Sequence, residues 1–155
     1  MTWLRRRLGL LRDETGSALV EFVFIALVVF VPLIYIVAGF SPVQRGVFAS
    51  TTAAREAGRA IGTAPDPVTG QERALRAAQL AVEDQSVDVS DLQLTYAAPG
   101  ADCEDGGGYQ PTLTPGEEFS VCVTVTVRIP FLPEFIDANT ATGQFVVERD
   151  RYIDG

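Results

Sequence analysis

The chain has 155 residues and a formal charge of −8, with 20 acidic side chains against 12 basic ones, enough for one domain or for one domain beside a membrane segment. All 12 basic residues are arginines and there is no histidine; this excludes Ser-His-Asp and Cys-His catalysis, histidine-ligated zinc, lysine Schiff bases and the lysine of a phosphate-binding loop. The negative balance also argues against a nucleic-acid partner, whose phosphates it would repel.

The first element is an apolar run. Phe22 to Phe40 (FVFIALVVFVPLIYIVAGF) is 19 residues without a charge, and a helix of about 20 apolar residues spans the roughly 30 Å hydrocarbon core of a bilayer. A buried helix of a soluble protein is the first alternative, but the remaining chain holds too little apolar mass to wrap it on every side. A cleaved secretory signal is the second; its apolar region is about 7–15 residues and ends in a small-x-small site, whereas here nothing like Ala-x-Ala comes before Ser41-Pro42. Arg5, Arg6, Arg7 and Arg12 precede the run, and after it Arg45 is the only cation before Arg55. Cations resist translocation, so the expected topology is a single pass through the cell (inner, cytoplasmic) membrane with the N-terminus inside. From Ser17 onward 18 acids face 8 arginines, a charge near −10 on the exported part.

Beyond the membrane, Val43 to Ile61 lacks proline and places Val43, Val47, Ala54, Ala57 and Ile61 near helical spacing, which predicts a continued helix with one apolar stripe. Pro32 should bend the membrane helix, and Gly39 to Pro42 is a second weak point. Gly62 to Pro67 (GTAPDP) reads as a stop and turn. Thr69 with Glu72 fits a capping box opening a second helix from about Gly70 to Asp84, with Leu75, Ala78 and Val82 on one face.

Strands follow. Val87 to Tyr96 alternates with a phase shift at Ser90-Asp91, where a bulge or short turn is expected. Ala97 to Gly116 reads as a loop. Phe119 to Ile129 is the clearest strand, with Val121, Val123, Val125, Val127 and Ile129 on one face and Cys122 on the other. Pro130 to Thr142 reads as a connector and Gln144 to Ile153 as a last strand. Cys103 and Cys122 form an even pair in the exported part, so they are expected to be disulfide-bonded, pinning the loop across the face opposite the valines. The fold class is therefore α+β: a long N-terminal transmembrane helix continuing outside the membrane, a second short helix and a small antiparallel sheet of about three strands with one disulfide.

Little in this chain suggests catalysis. Gly106-Gly107-Gly108 lacks the lysine and following helix of a phosphate cradle. Glu117-Glu118 is better read as solvated charge beside a strand than as an acid-base pair. Asp102, Glu104 and Asp105 form an acidic cluster that calcium could use, but the twelfth position from Asp102 is Leu113 rather than a bidentate glutamate, so the EF-hand pattern fails. The anomaly is Glu21, a carboxylate at the start of the apolar run, where it is costly and calls for a partner or a function.

Gly16-Ser17-Ala18-Leu19-Val20-Glu21-Phe22 resembles the processing site of type IV prepilins, in which a basic leader ends in glycine and glutamate is the fifth mature residue. More narrowly, GSALVEF, the apolar run with Pro32 and Ala53-Ala54-Arg55-Glu56-Ala57-Gly58-Arg59 resemble the TadE family of minor pilins of tight-adherence (Flp) pilus systems. The order Ala57-Gly58 is a minor departure from that family's usual Gly-Ala. The resemblance covers about Glu14 to Ile61; Gly62 to Gly155 matches nothing familiar. It implies a basic leader over residues 1–16, cleavage by a prepilin peptidase between Gly16 and Ser17, a transmembrane helix over 17–40, its extension over 41–62 and an exported domain over 63–155. Glu21 and Phe22 would then serve subunit assembly, with Glu21 pairing with the freed amino group of a neighbouring subunit, because two buried charges cancel desolvation costs that neither bears singly.

The function expected from that resemblance is structural: a minor pilin or pseudopilin in a Flp-type pilus. Its partners would be the peptidase, other pilin-like subunits, the assembly platform and the lipid bilayer; no cofactor is implied. The alternative is a membrane-tethered extracytoplasmic binding or sensor module with an uncleaved anchor. An exported enzyme is the third reading, and it would need a metal or cofactor.

Overall fold

The computed structural model describes residues 14–104, 108–129 and 139–151, with backbone alone over 14–17. Helix α1 spans Glu14–Gly62 and α2 spans Pro67–Asp84; strands β1 (Gln93–Ala97), β2 (Glu118–Val127) and β3 (Asn139–Glu148) follow. The strands form one antiparallel sheet in the order β1-β2-β3. The expected α+β architecture, with a long apolar helix, a second shorter helix, three antiparallel strands and one disulfide, is present. Residues up to Ala38 form one compact unit and residues from Gly39 onward another.

In the first unit, α1 is the one helix among the described residues long and apolar enough to cross a membrane, and none of the described residues buries its apolar window. Its large side chains, from Leu19 to Val37, stand 45–72% exposed. A helix apolar all round needs an apolar surrounding, which the described residues do not supply for this stretch.

In the second unit, the rest of α1 lies along the valine face of the sheet. Of the predicted stripe, Ala54, Ala57 and Ile61 are buried and Val43 is half-buried on the core, whereas Val47 is 49% exposed; Gly46, Ala49, Ser50, Ala53 and Gly58 complete the buried face. The reason is close approach. A Cβ at Gly46 would run into Val127, one at Gly58 into Phe145, and one at Gly143 into the Ser50 carbonyl. These contacts also fix direction: as α1 runs from Gly46 to Gly62, β3 runs beside it from Ala141 to Val147. Val121, Val123 and Val125 are fully buried beneath it, with Phe119 beside them.

The weak point expected at Gly39–Pro42 lies within a continuous α1; Gly39, Pro42 and Val43 are half-buried, and tertiary packing outweighs the one hydrogen bond that proline forfeits. Three sequence expectations need correction. Helix α2 starts earlier than Gly70: Asp66 is the N-cap, its Oδ1 accepting from the Thr69 amide at 3.0 Å, with Pro67 in the first turn. Its buried face is Gly70, Ala74, Ala78, Ala81 and Val82, and Leu75 is 40% exposed, because small residues let α2 approach Ile61 and Ala64.

The expected strand from Val87 shortens to β1. The Ser90 amide donates to Asp88 Oδ1 at 2.9 Å, making the anticipated turn, and Val87 and Val89 pack on the core without pairing. Finally, the last strand is shifted: it starts at Asn139 and ends at Glu148. Gly143, left between the expected connector and the expected strand, lies inside β3, where the close approach of the Ser50 carbonyl requires a residue without a side chain. Residues 130–138 of the expected connector and 152–153 of the expected strand lie outside the described residues.

Candidate functional site

Three places hold residues to which the sequence points. The first is the start of α1. Gly16 and Ser17 lie in its first turns, and the helix already begins at Glu14. Glu21 is exposed between Val20 (67% exposed) and Phe22 (72% exposed). Among the described residues it has no ion-pair partner. The structure therefore leaves Glu21 and Phe22 facing outward on an apolar helix, available to whatever surrounds it. Residues 1–13 of the expected leader lie outside the described residues.

The second place is the disulfide. Cys103 is bonded to Cys122, with Cα atoms 5.7 Å apart. Cys122 sits on the face of β2 turned away from α1, as the alternation predicts, yet it is 1% exposed, and its neighbour Ser120 is 2% exposed. The bonded loop covers them: Gln144 Nε2 donates to the Ala101 carbonyl at 3.2 Å and to Ser120 Oγ at 3.0 Å. One covalent bond and one amide thus clamp the segment before Cys103 across the outer face of the sheet. With a sequence separation of 19 residues, loss of the bond is expected to lower stability by roughly 3 kcal/mol in the chain-entropy account. Thermal melts of a Cys103→Ser, Cys122→Ser double variant beside the reduced native protein measure it; a shared downward shift in Tm is the expected result.

The third place is a carboxylate the sequence reading undervalued. Glu117 organises the loop before β2. Its Oε1 accepts from Tyr109 Oη at 2.8 Å and from the Thr112 amide at 3.0 Å, and its Oε2 from Thr112 Oγ1 at 2.8 Å and the Thr114 amide at 3.0 Å. The reading of Glu117 as solvated charge is thereby corrected; Glu118 beside it is exposed. The signal was present in Thr112, Thr114 and Gly116, short polar and turn residues just upstream that can close a loop on a carboxylate. Desolvation pushes the Glu117 carboxyl upward, but the bonds from Thr112, Tyr109 and Thr114 outweigh it and leave its pKa below the ordinary value of 4.5. A carboxyl depressed in the folded state contributes stability above its unfolded pKa and loses it as pH falls through the folded one. Asp66 and Asp88 are lowered too, mainly by hydrogen bonds from Thr69 and Ser90, so they act with the same sign. Stability is therefore expected to drop on the acid side of 4.5, and Glu117→Gln to flatten that drop. Urea midpoints against pH for both proteins test this.

Sequence reasoning also missed Arg149, only 7% exposed, whose Nη1 donates to the carbonyls of Gly62 at 3.2 Å and Ala64 at 2.8 Å. It satisfies the free carbonyls at the end of α1, where the helix dipole favours a cation, and ties the residue after β3 to them.

Among the described residues of the second unit, two grooves are open to solvent. One runs between Gly58, Gly62 and β3, and another lies between α1 and α2, lined by Thr52, Glu56, Ala77, Leu80 and Asp84. Of the acidic cluster, Asp102 and Glu104 are exposed and Asp105 lies outside the described residues. No protein-family model, curated protein or solved structure matches the chain. Its architecture thus stands on its own terms: a membrane-type helix continuous with the helix that underlies a small folded domain.

Proposed function

We propose that the chain is a membrane-tethered extracytoplasmic module that works by binding and assembly rather than by catalysis. The observation that carries this reading is the continuity of α1. One helix, Glu14–Gly62, is apolar and uncovered in its first half and carries the core of an α+β domain on its second. Such an element tethers a folded domain to a membrane through one continuous helix. In this reading the arginine-rich N-terminus is cytoplasmic and the acidic, disulfide-bonded domain lies outside. The absence of histidine and lysine from the sequence leaves no nucleophile-base pair of the common kinds.

Within that frame a second, narrower reading is supported by Glu21. A carboxylate exposed on an apolar helix, four residues after Ser17, suits a TadE-like minor pilin cut after Gly16, in which the new amino group of a neighbouring subunit pairs with Glu21. The uncovered Phe22 and the apolar side chains beyond it would meet neighbouring helices of the same kind. The finding that separates the two readings is the mature N-terminus. Mass spectrometry of membrane-derived protein, with and without a co-expressed prepilin peptidase, should give a start at Ser17 only with the peptidase if the chain is a pilin. Glu21→Ala should then abolish recovery of the protein with other pilin subunits. An intact leader beside an active cognate peptidase removes the pilin reading and leaves the tethered module.

A further inference from the structure

The sheet has two edges, and they are protected differently. β1 is five residues long, Gln93–Ala97. β3 is ten, Asn139–Glu148, and pairs one-to-one with β2 from Glu118↔Glu148 to Val127↔Asn139. Natural edge strands are kept from pairing with other chains by charge, proline, a bulge or shortness. From Asn139 to Val147 β3 has none of these: NTATGQFVV carries no charge and no proline, and its ladder holds no bulge. The direction of its free groups follows from the residue beyond its end. The Arg149 amide donates to the Glu117 carbonyl at 2.8 Å, and the Arg149 carbonyl accepts from the Gly116 amide at 3.1 Å, so Arg149 turns both backbone groups toward β2. Alternation along the strand then turns those of Thr140, Thr142, Gln144, Val146 and Glu148 to the other side, where among the described residues β3 has no strand partner. All five residues are exposed. The groove beside Gly58 and Gly62 borders this free side: it is lined from the end of α1 and from β3 and its exit, with no residue of β2.

The chemistry of that edge selects its occupant. A row of unpaired N–H and C=O groups is matched by an extended strand, which offers acceptors and donors at the same spacing. In a chain with a formal charge of −8 a second copy is repelled overall, and this edge is a stretch free of charge. It is also self-complementary. Antiparallel pairing about a two-fold axis at Gln144 sets Thr142 opposite Val146 of the partner subunit and Thr140 opposite Glu148 of the partner subunit. Outward groups then meet outward groups, and the two glutamates stay apart. We infer that β3 is a self-association edge, at which two copies of this chain join their sheets into one. The inference goes beyond the tethering reading and needs only the unit from Gly39 onward.

Cross-linking tests it on the full chain in detergent micelles with the Cys103–Cys122 bond intact. A chain with Thr142→Cys is co-expressed with one carrying Val146→Cys and treated with a short bis-maleimide. The two thiols face each other across the axis, whereas two copies of the same variant hold theirs four residues, or about 13 Å, apart. The pair should give several-fold more cross-linked dimer than either variant alone, or than Leu75→Cys on α2, which reports chance encounters and pairing through other surfaces. A yield no better than these overturns the inference, whatever the membrane helix does. Charge at Thr140 gives the second readout. At low salt Thr140→Glu, facing the partner's Glu148, should cut the yield several-fold, and Thr140→Lys should raise it. Equal yields from the two, with the domain folded in both by circular dichroism, would also overturn it.

Discussion

Replacement of Gly143 by valine is expected to unfold the domain. Gly143 pairs with Val123 in the middle of the β2–β3 ladder, and a Cβ there would collide with the Ser50 carbonyl of α1. The obstacle is helix backbone, which cannot turn aside as a side chain can. At Gly46 and Gly58, by contrast, the obstacles are the side chains of Val127 and Phe145. Gly143→Val must push β3 off α1, breaking its ladder or opening the core, and losses above about 4 kcal/mol are expected from such an event. Against a total stability of about 5–15 kcal/mol for a small domain, little folded protein should remain. Gly143→Ala should follow the same direction to a smaller extent, and both should cost more than Gly58→Ala. Urea unfolding followed by circular dichroism measures the series; a native-like midpoint for Gly143→Val would mean that helix and strand do not touch.

The second large loss is expected at Phe119, the largest of the fully buried side chains among the described residues. It meets Tyr96 of β1 edge to face, with ring centroids 6.1 Å apart. Truncation to alanine removes that contact and leaves a cavity beneath the sheet, at a cost of about 3–5 kcal/mol. Phe119→Leu, which keeps most of the volume, should recover much of the loss. The same denaturation series reads both, and the order Phe119→Ala below Phe119→Leu below native is the expected result.

What the sequence disclosed, and what it hid, follows from the range of each signal. The apolar run from Phe22, the alternation of Val121, Val123, Val125 and Val127, and the turn at Ser90-Asp91 are local patterns, and each appears in place. The pairing of Cys103 with Cys122 was legible because there are two cysteines to pair. The misses depend on partners distant in sequence. Gly143 belongs in a strand only because Ser50 lies against it, 93 residues earlier. Small residues outdo Val47 and Leu75 at the interface because α1, α2 and the sheet approach closely. Glu117 is fixed by four groups that a linear reading scores as loop. The Asp66-Pro67 cap was a local signal passed over for the capping box beside it. Glu21 was singled out by chemistry alone, and among the described residues it has no ion-pair partner.

The placement of β3 along α1 has a kinetic side. The stripe from Gly46 to Gly62 emerges early in the chain, and the strand that covers it, Asn139–Glu148, is the last element to arrive. Closing that contact joins segments some 80 or more residues apart, and loop closure of this kind slows folding. Until β3 has been made, the helix stands with a glycine- and alanine-lined groove open on one side. Native structure in the domain is therefore tied to completion of the chain through Glu148, and a chain halted before Asn139 would display a surface that the folded domain covers.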